Sequence, residues 1–153
     1  AMVRAIGEVV DEAASAESIA VEIEARVARV VKEALGREPV RFAYLIWRKP
    51  WMSANLETFA SSLLVQAGGV NVFAAREDRY PAIELAELVT AQTDLILLCT
   101  EPFDFGEKHI AEISEATGID PSSIRIADGE YLSWHGSRTP DGIDYAAQLI
   151  SSR

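Results

Sequence analysis

Residues 94 to 100, DLILLCT, are almost wholly apolar, with no polar residue breaking the run from Leu95 to Cys99. A short run of this kind reads as a parallel strand covered on both faces, because a strand with one wet face would alternate. Further strands are predicted at Val40 to Trp47, Asn71 to Phe73 and Ile124 to Ala127. Between them, helical spacing predicts helices at Ser53 to Ala67, Ile83 to Ala91, Glu107 to Thr117 and Pro140 to Ser152. Gly68-Gly69 and Gly118 stand where helix stops belong, and Pro140 stands near a first turn. Alternation of this kind implies right-handed crossovers: an α/β fold, a mostly parallel sheet with helices on both faces.

Two helices are predicted ahead of the first strand. Val3, Ile6, Val10 and Ala13 repeat at helical spacing and suggest a short helix ending near Ala14. Ile19, Ile23, Val27, Val30 and Ala34 form the stripe of a second, which Gly36 and Pro39 stop. From residue 16 to 35, at 1.5 Å per residue, it would span about 30 Å, the width of a small domain. The expected division is residues 1–38 as amino-terminal helices and 39–153 as one three-layer α/β lobe. With 153 residues, 49% of them hydrophobic, the chain is long enough for one substantial core.

Charge and cysteine content remove several function classes. A formal charge of -10 disfavours non-specific contact with nucleic acid or an anionic membrane. Cys99 is the single cysteine, so an internal disulfide and a multi-cysteine zinc site are excluded. No apolar run approaches the ~20 residues needed to cross a bilayer, and AMVRAIGEVV lacks the form of a secretory signal. Ala1 before Met2 is expected to be a tag remnant ahead of an internal start, and the chain a piece of a longer protein.

Loops that leave parallel strands emerge at one sheet edge, where open α/β sheets bind ligands. Here these are residues 48–52 (RKPWM), 74–81 (AAREDRYP), 101–107 (EPFDFGE) and 128–139 (DGEYLSWHGSRT). With the strand end at Trp47 they carry Trp51, Tyr80, Phe103, Phe105, Tyr131 and Trp134, whereas the opposite edge carries essentially no aromatics. Trp47 and Trp51 offer flat faces suited to a large ring ligand, Met52 lies beside them, and Trp47 serves equally well as a cover for the sheet end. Arg48 and Arg138 suit forked contacts to carboxylate, phosphate or an anionic chelate; the alternative is an internal pair with Glu130 or Asp128. Tyr80 and Tyr131 can offer a phenol to ligand or metal, or pack under the rim. His135 is a candidate axial or hydrogen-bonding contact.

His109, expected on a helix, and His135 have no ligand-like spacing, so a direct metal site within this chain is not expected. No cofactor is expected either. An enzyme is disfavoured: there is no Gly-rich phosphate loop, nucleophile elbow or Cys-His pair, and Glu101, Asp104 and Glu130 are ordinary loop carboxylates.

The segments YLIWRKPWMSANLETFASSLLVQAGGVNVF and YPAIELAELVTAQTDLILL, preceded by a long striped helix, resemble the carboxyl half of the helical-backbone (class III) substrate-binding proteins of ABC importers. The matching features are the aromatic-Pro loop entering a Ser-capped helix, the AGGVNVF turn and ELAELVTAQTDLILL, which lacks the family's usual proline. GEYLSWHGSRTPDGI is similar to the family's last loop and helix. This resemblance, from about residue 15 to 150, implies two lobes joined by a rigid helix, with residues 16–35 as that helix, 40–153 as the second lobe, and the first lobe absent. It implies a metal-chelate ligand such as cobalamin, a ferric siderophore or haem, an ABC permease as partner, and a periplasmic or lipoprotein location for the parent. Acidic residues dock such lobes onto the permease, and Glu101 and Glu107 are placed to do so. A helix that has lost its partner lobe is expected to self-associate through Val3, Ile6, Val10 and Ala13. The runner-up is a flavodoxin-like nucleotide- or flavin-binding domain, for which Arg48-Lys49-Pro50-Trp51 makes a poor phosphate turn because it lacks glycine and Pro lacks a donor.

Overall fold

A computed structural model describes residues 2–152. Helix α1 (Met2–Val9) is shorter than expected, because the chain reverses at Asp11, whose φ is 60°. Ala13, expected at the end of that helix, instead opens α2 (Ala13–Ala34), whose 22 residues extend about 33 Å at 1.5 Å each. The two helices approach closely because Gly7 faces Ala16: a Cβ on Gly7 would lie 2.2 Å from the Ala16 methyl. Arg4 joins them by donating to Glu17 (2.6 Å) and Glu24 (2.5 Å). Gly36 ends the helical region with φ 85°, as a helix stop requires.

The sheet is built on β1 (Val40–Trp47). Parallel to it run β5 (Leu95–Cys99), in the register Phe42 to Leu95, and β3 (Gly69–Asn71), in the register Val40 to Gly69. β6 (Ile124–Ala127) continues the parallel set beyond β5. Two short strands run the other way: β2 (Trp51–Ser53) pairs antiparallel with β1, and β4 (Ala82–Ile83) with β2. The order is β4-β2-β1-β5-β6, with β3 beside the first half of β1. The expected α/β class and mostly parallel sheet are therefore what the chain forms.

Pleat alternation divides the core. Phe42, Tyr44, Leu95, Leu97 and Ala127 face α2, α3 (Phe59–Gln66), α6 (Gly129–Ser133) and α7 (Thr139–Ser151). Ala43, Leu45, Ile96, Leu98 and Ile124 face α4 (Leu85–Thr90) and α5 (Glu107–Thr117). All five residues of β5 are buried, so the apolar run Leu95–Cys99 is the strand covered on both faces. Long helix α2 lays Ile23, Val27 and Val30 on the first core, and Arg26 and Arg29 both bind Asp144 of α7.

Four expectations needed correction. The loop at 48–52 is a β-hairpin turn, with the Lys49–Pro50 peptide bond cis, that folds Trp51–Ser53 back on β1. Consequently the helix expected from Ser53 starts only at Phe59, capped by Thr58, whose hydroxyl accepts from the Ser61 amide at 3.3 Å. The strand expected at 71–73 lies at Gly69–Asn71 instead, because the Asn71 side chain accepts from the Phe73 amide and turns the chain out of the sheet. The last rim loop, expected to be irregular, contains α6 and a 3-10 turn at Gly136–Arg138.

Candidate ligand cavity

At the carboxyl edge of the parallel strands lies an open cavity of about 820 Å³. Four chain segments reach it. The end of β1 and the hairpin supply Ile46, Trp47 and Met52; the turn into α3 supplies Leu56, Glu57, Thr58 and Phe59. Arg79 and Tyr80 come from the segment before β4, and Glu101, Pro102, Ser133 and His135 from the loops after β5 and β6. Volume, apolar lining and a few polar groups are what a sizeable organic ligand needs.

Local sequence explains the wall between β2 and α3. Asn55 is 2% exposed; its amide nitrogen donates to the Arg76 carbonyl, and its side-chain oxygen accepts from the Glu57 amide. Asn71, also buried, donates to the Ala54 carbonyl and the Ser61 hydroxyl, both at 2.9 Å. These amides do for an irregular loop what a ladder does for a strand, so Leu56 and Glu57 project outward from a fixed backbone.

At the cavity floor Tyr44 donates to the Cys99 thiol, which donates in turn to the Glu101 carbonyl. Burial pushes the Tyr44 phenol far above its ordinary range, and burial raises the Cys99 thiol as well. Both stay protonated at neutral pH. The floor therefore offers neither a thiolate nor a phenolate to a substrate.

Of the candidates read from sequence, Trp47, Met52, Tyr80 and His135 share this cavity, and Phe59 joins them by meeting His135 edge-on, with ring centroids 4.1 Å apart. The others sit elsewhere. Trp51, one residue before Met52 on the pleat, faces the opposite side of the sheet and stacks on Phe105. Phe103 packs against Trp47, Phe105 and the buried ring of His109. Arg48 forks onto Glu112 at 2.8 and 2.7 Å, and Tyr131 leans on Tyr145 at 5.0 Å. Trp134 stands on the rim, its indole N–H donating to Glu101 at 3.4 Å, with the Arg138 guanidinium over its ring and paired to Glu130 at 3.0 Å.

Leu56, Glu57, Phe59 and Arg79 were not singled out from the sequence. The first three were expected inside a helix; the signal that places them in a capped turn is Asn55 with Thr58 three residues later. Among the described residues no group of three or more His, Cys, Asp or Glu is placed to hold a metal ion. No described helix is long and apolar enough to cross a membrane.

No family model matches the chain. It is 21% identical over 113 residues to the vitamin B12-binding protein of Vibrio cholerae, a match covering 74% of this chain and 41% of that one. The chain thus spans less than half the length of the curated relatives it matches. Among solved structures it superposes on a protein described as a possible iron-binding (periplasmic solute-binding) protein from Staphylococcus epidermidis. That match has a TM-score of 0.82 at 16% identity, over 98% of this chain and 60% of the other. A periplasmic heme-binding protein from Roseiflexus sp. RS-1 gives 0.75 at 19% identity, over 97% and 62%. The resemblance read from the sequence is borne out by both kinds of comparison, and what these distant matches share with this chain is the fold.

Proposed function

We propose that this chain is the backbone helix and carboxyl-terminal lobe of the substrate-binding component of an ABC importer. It presents one wall of a cleft to a metal chelate of the cobalamin, ferric-siderophore or haem class. The observation that carries this reading is the open cavity of about 820 Å³ at the strand edge, with Trp47, Phe59, Tyr80 and His135 around it. Flat side chains of this kind stack on large conjugated or chelated ligands at little entropic cost. Similar proteins are named for binding vitamin B12, heme and, as a possibility, iron, which supports this reading. The parent protein would work outside the cytoplasm beside its permease, with Glu101 and Glu107 as candidate docking carboxylates.

A nucleotide or flavin site would need a donor-rich turn after β1. That position is taken by the hairpin at Trp47–Pro50, whose Arg48 is already committed to Glu112. The binding-protein reading also has two copies of this chain pairing through α1 and the turn after it, where Ile6, Val9 and Val10 are exposed.

Titration of tryptophan fluorescence with cobalamin, haem and ferric siderophores tests the proposal, since Trp47 lines the cavity. Saturable quenching by one class, lost in Tyr80→Ala, is the expected result. Flat titrations with all three, alongside stabilisation by flavin or nucleotide, would replace this function with the nucleotide-binding one.

A further inference from the structure

The charges around the cavity bear on which chelates it accepts, and the inference rests on the binding function just proposed. Three charged side chains line it: Glu57, Glu101 and Arg79. Arg79 lies 3.9 Å from Glu57, so its charge is largely offset, while Glu101 is tethered by the Trp134 indole, a neutral donor. The two arginines that sequence suggested for anions are neutralised elsewhere, Arg48 by Glu112 and Arg138 by Glu130. Neither lines the cavity.

Backbone dipoles do not reverse this balance. The amino end of α3 faces the cavity through Thr58 and Phe59 and contributes about half a positive charge at most. Glu57 stands immediately before the Thr58 cap, so what lies beside this end is the paired Glu57 and Arg79 rather than a free cation. On the other side, Leu132 and Ser133 bring the carboxyl end of α6, whose partial charge is negative. The chain as a whole carries -10, so the long-range field also opposes an anion.

We infer that this wall selects metal chelates of zero or positive net charge and rejects strongly anionic ones. Size and aromatic surface set what can fit, and the uncompensated carboxylate of Glu101 sets which charge is tolerated.

Two ferric complexes of similar bulk and opposite character test this: an uncharged ferric tris-hydroxamate and a trianionic ferric tris-catecholate, titrated against the chain at low and high salt. The uncharged complex is expected to bind at least about tenfold more tightly at low salt. Salt should narrow the gap by screening the repulsion. The substitution Glu101→Gln, at an exposed position, removes the uncompensated charge while keeping the Arg79–Glu57 pair; it should improve catecholate binding by on the order of tenfold and narrow its gap to the hydroxamate. Equal or tighter binding of the catecholate by the unaltered chain would overturn the charge inference and leave the binding function standing. Failure of both complexes, and of cobalamin and haem, would overturn the binding function and the charge inference together.

Discussion

Trp51 and Phe105 lie face to face across the sheet's second core, ring centroids 5.9 Å apart and planes 7° from parallel. The indole is therefore a packing element of the α4–α5 side, and its truncation would open a void beside Ile83 and Phe105. Trp51→Ala is expected to cost about 3 kcal/mol of stability, read from denaturant midpoints. Tyr80, 50% exposed on the cavity wall, should show the reverse: Tyr80→Ala lowers chelate affinity and moves stability by less than about 0.5 kcal/mol. An affinity loss in a fully folded Trp51→Ala protein would mean that Trp51 touches ligand after all.

Stability should fall away at both ends of the pH scale, for different reasons. The hydrogen-bonded Arg48 guanidinium holds the Glu112 carboxylate below its usual range, and Arg4 does the same for Glu17 and Glu24. A depressed carboxylate stabilises the fold above its unfolded pKa of about 4.3 and loses that contribution as pH drops through the lower folded value. Burial raises Cys99, Tyr44 and Tyr145. Their contribution is complete below the unfolded values, about 8.5 for the thiol and about 10 for the phenols, and disappears as pH climbs through the raised ones. Unfolding midpoints from pH 3 to 11 should trace a plateau with two shoulders, and Glu112→Gln should flatten the acid one.

Gly142 permits the contact between α6 and α7. A Cβ there would stand 2.3 Å from the Tyr131 carbonyl oxygen, a backbone atom that cannot swing aside. Gly142→Ala is expected to destabilise by about 1–3 kcal/mol, the range for forced overpacking. Because α6 leads directly into Trp134 and His135, the variant should also change the Trp134 emission spectrum before any unfolding. Unchanged emission together with unchanged stability would show that the helices separate freely.

Helix α1 and the turn after it leave Met2, Ile6, Val9 and Val10 exposed, with Val9 at 86%. Beside it a hollow of about 240 Å³ runs between Val3, Ile6, Val10 and Ile19. Sedimentation equilibrium is expected to show a mass that rises with concentration, and Ile6→Glu with Val10→Glu should return it to the monomer. A mass independent of concentration in the unaltered chain would refute pairing through this face.

Elements defined by their own composition were legible in the sequence. Leu95–Cys99, Ile124–Ala127 and Glu107–Thr117 match their expected bounds to within a residue, because apolar runs and a helical stripe closed by Gly118 are local signals. The hairpin was not legible. Trp51–Ser53 is three residues long and is a strand only because the turn at Lys49–Pro50 lays it beside β1. That single reversal explains most of the difference at the site: it turns Trp51 inward, leaves Met52 on the cavity wall, and delays α3 until Phe59. Charge partners were harder still. Arg48 finds Glu112 across 64 positions of sequence, a pairing that depends on how α5 packs and leaves no trace at short range.

The two sides of the cavity are anchored differently. On one side α2, α7 and α6 are linked in series, by Arg26 and Arg29 to Asp144 and by the close passage of Gly142 at Tyr131, up to His135. On the other side Met52 lies on β2 and Tyr80 just ahead of β4, strands of three and two residues, with β4 at the sheet margin. Interlocked helices transmit displacement as a unit, whereas a two-residue edge strand such as β4 yields first. A ligand entering this site would meet a jaw and a flap, and any movement imposed on the long helix would reach His135 well before it reached Tyr80.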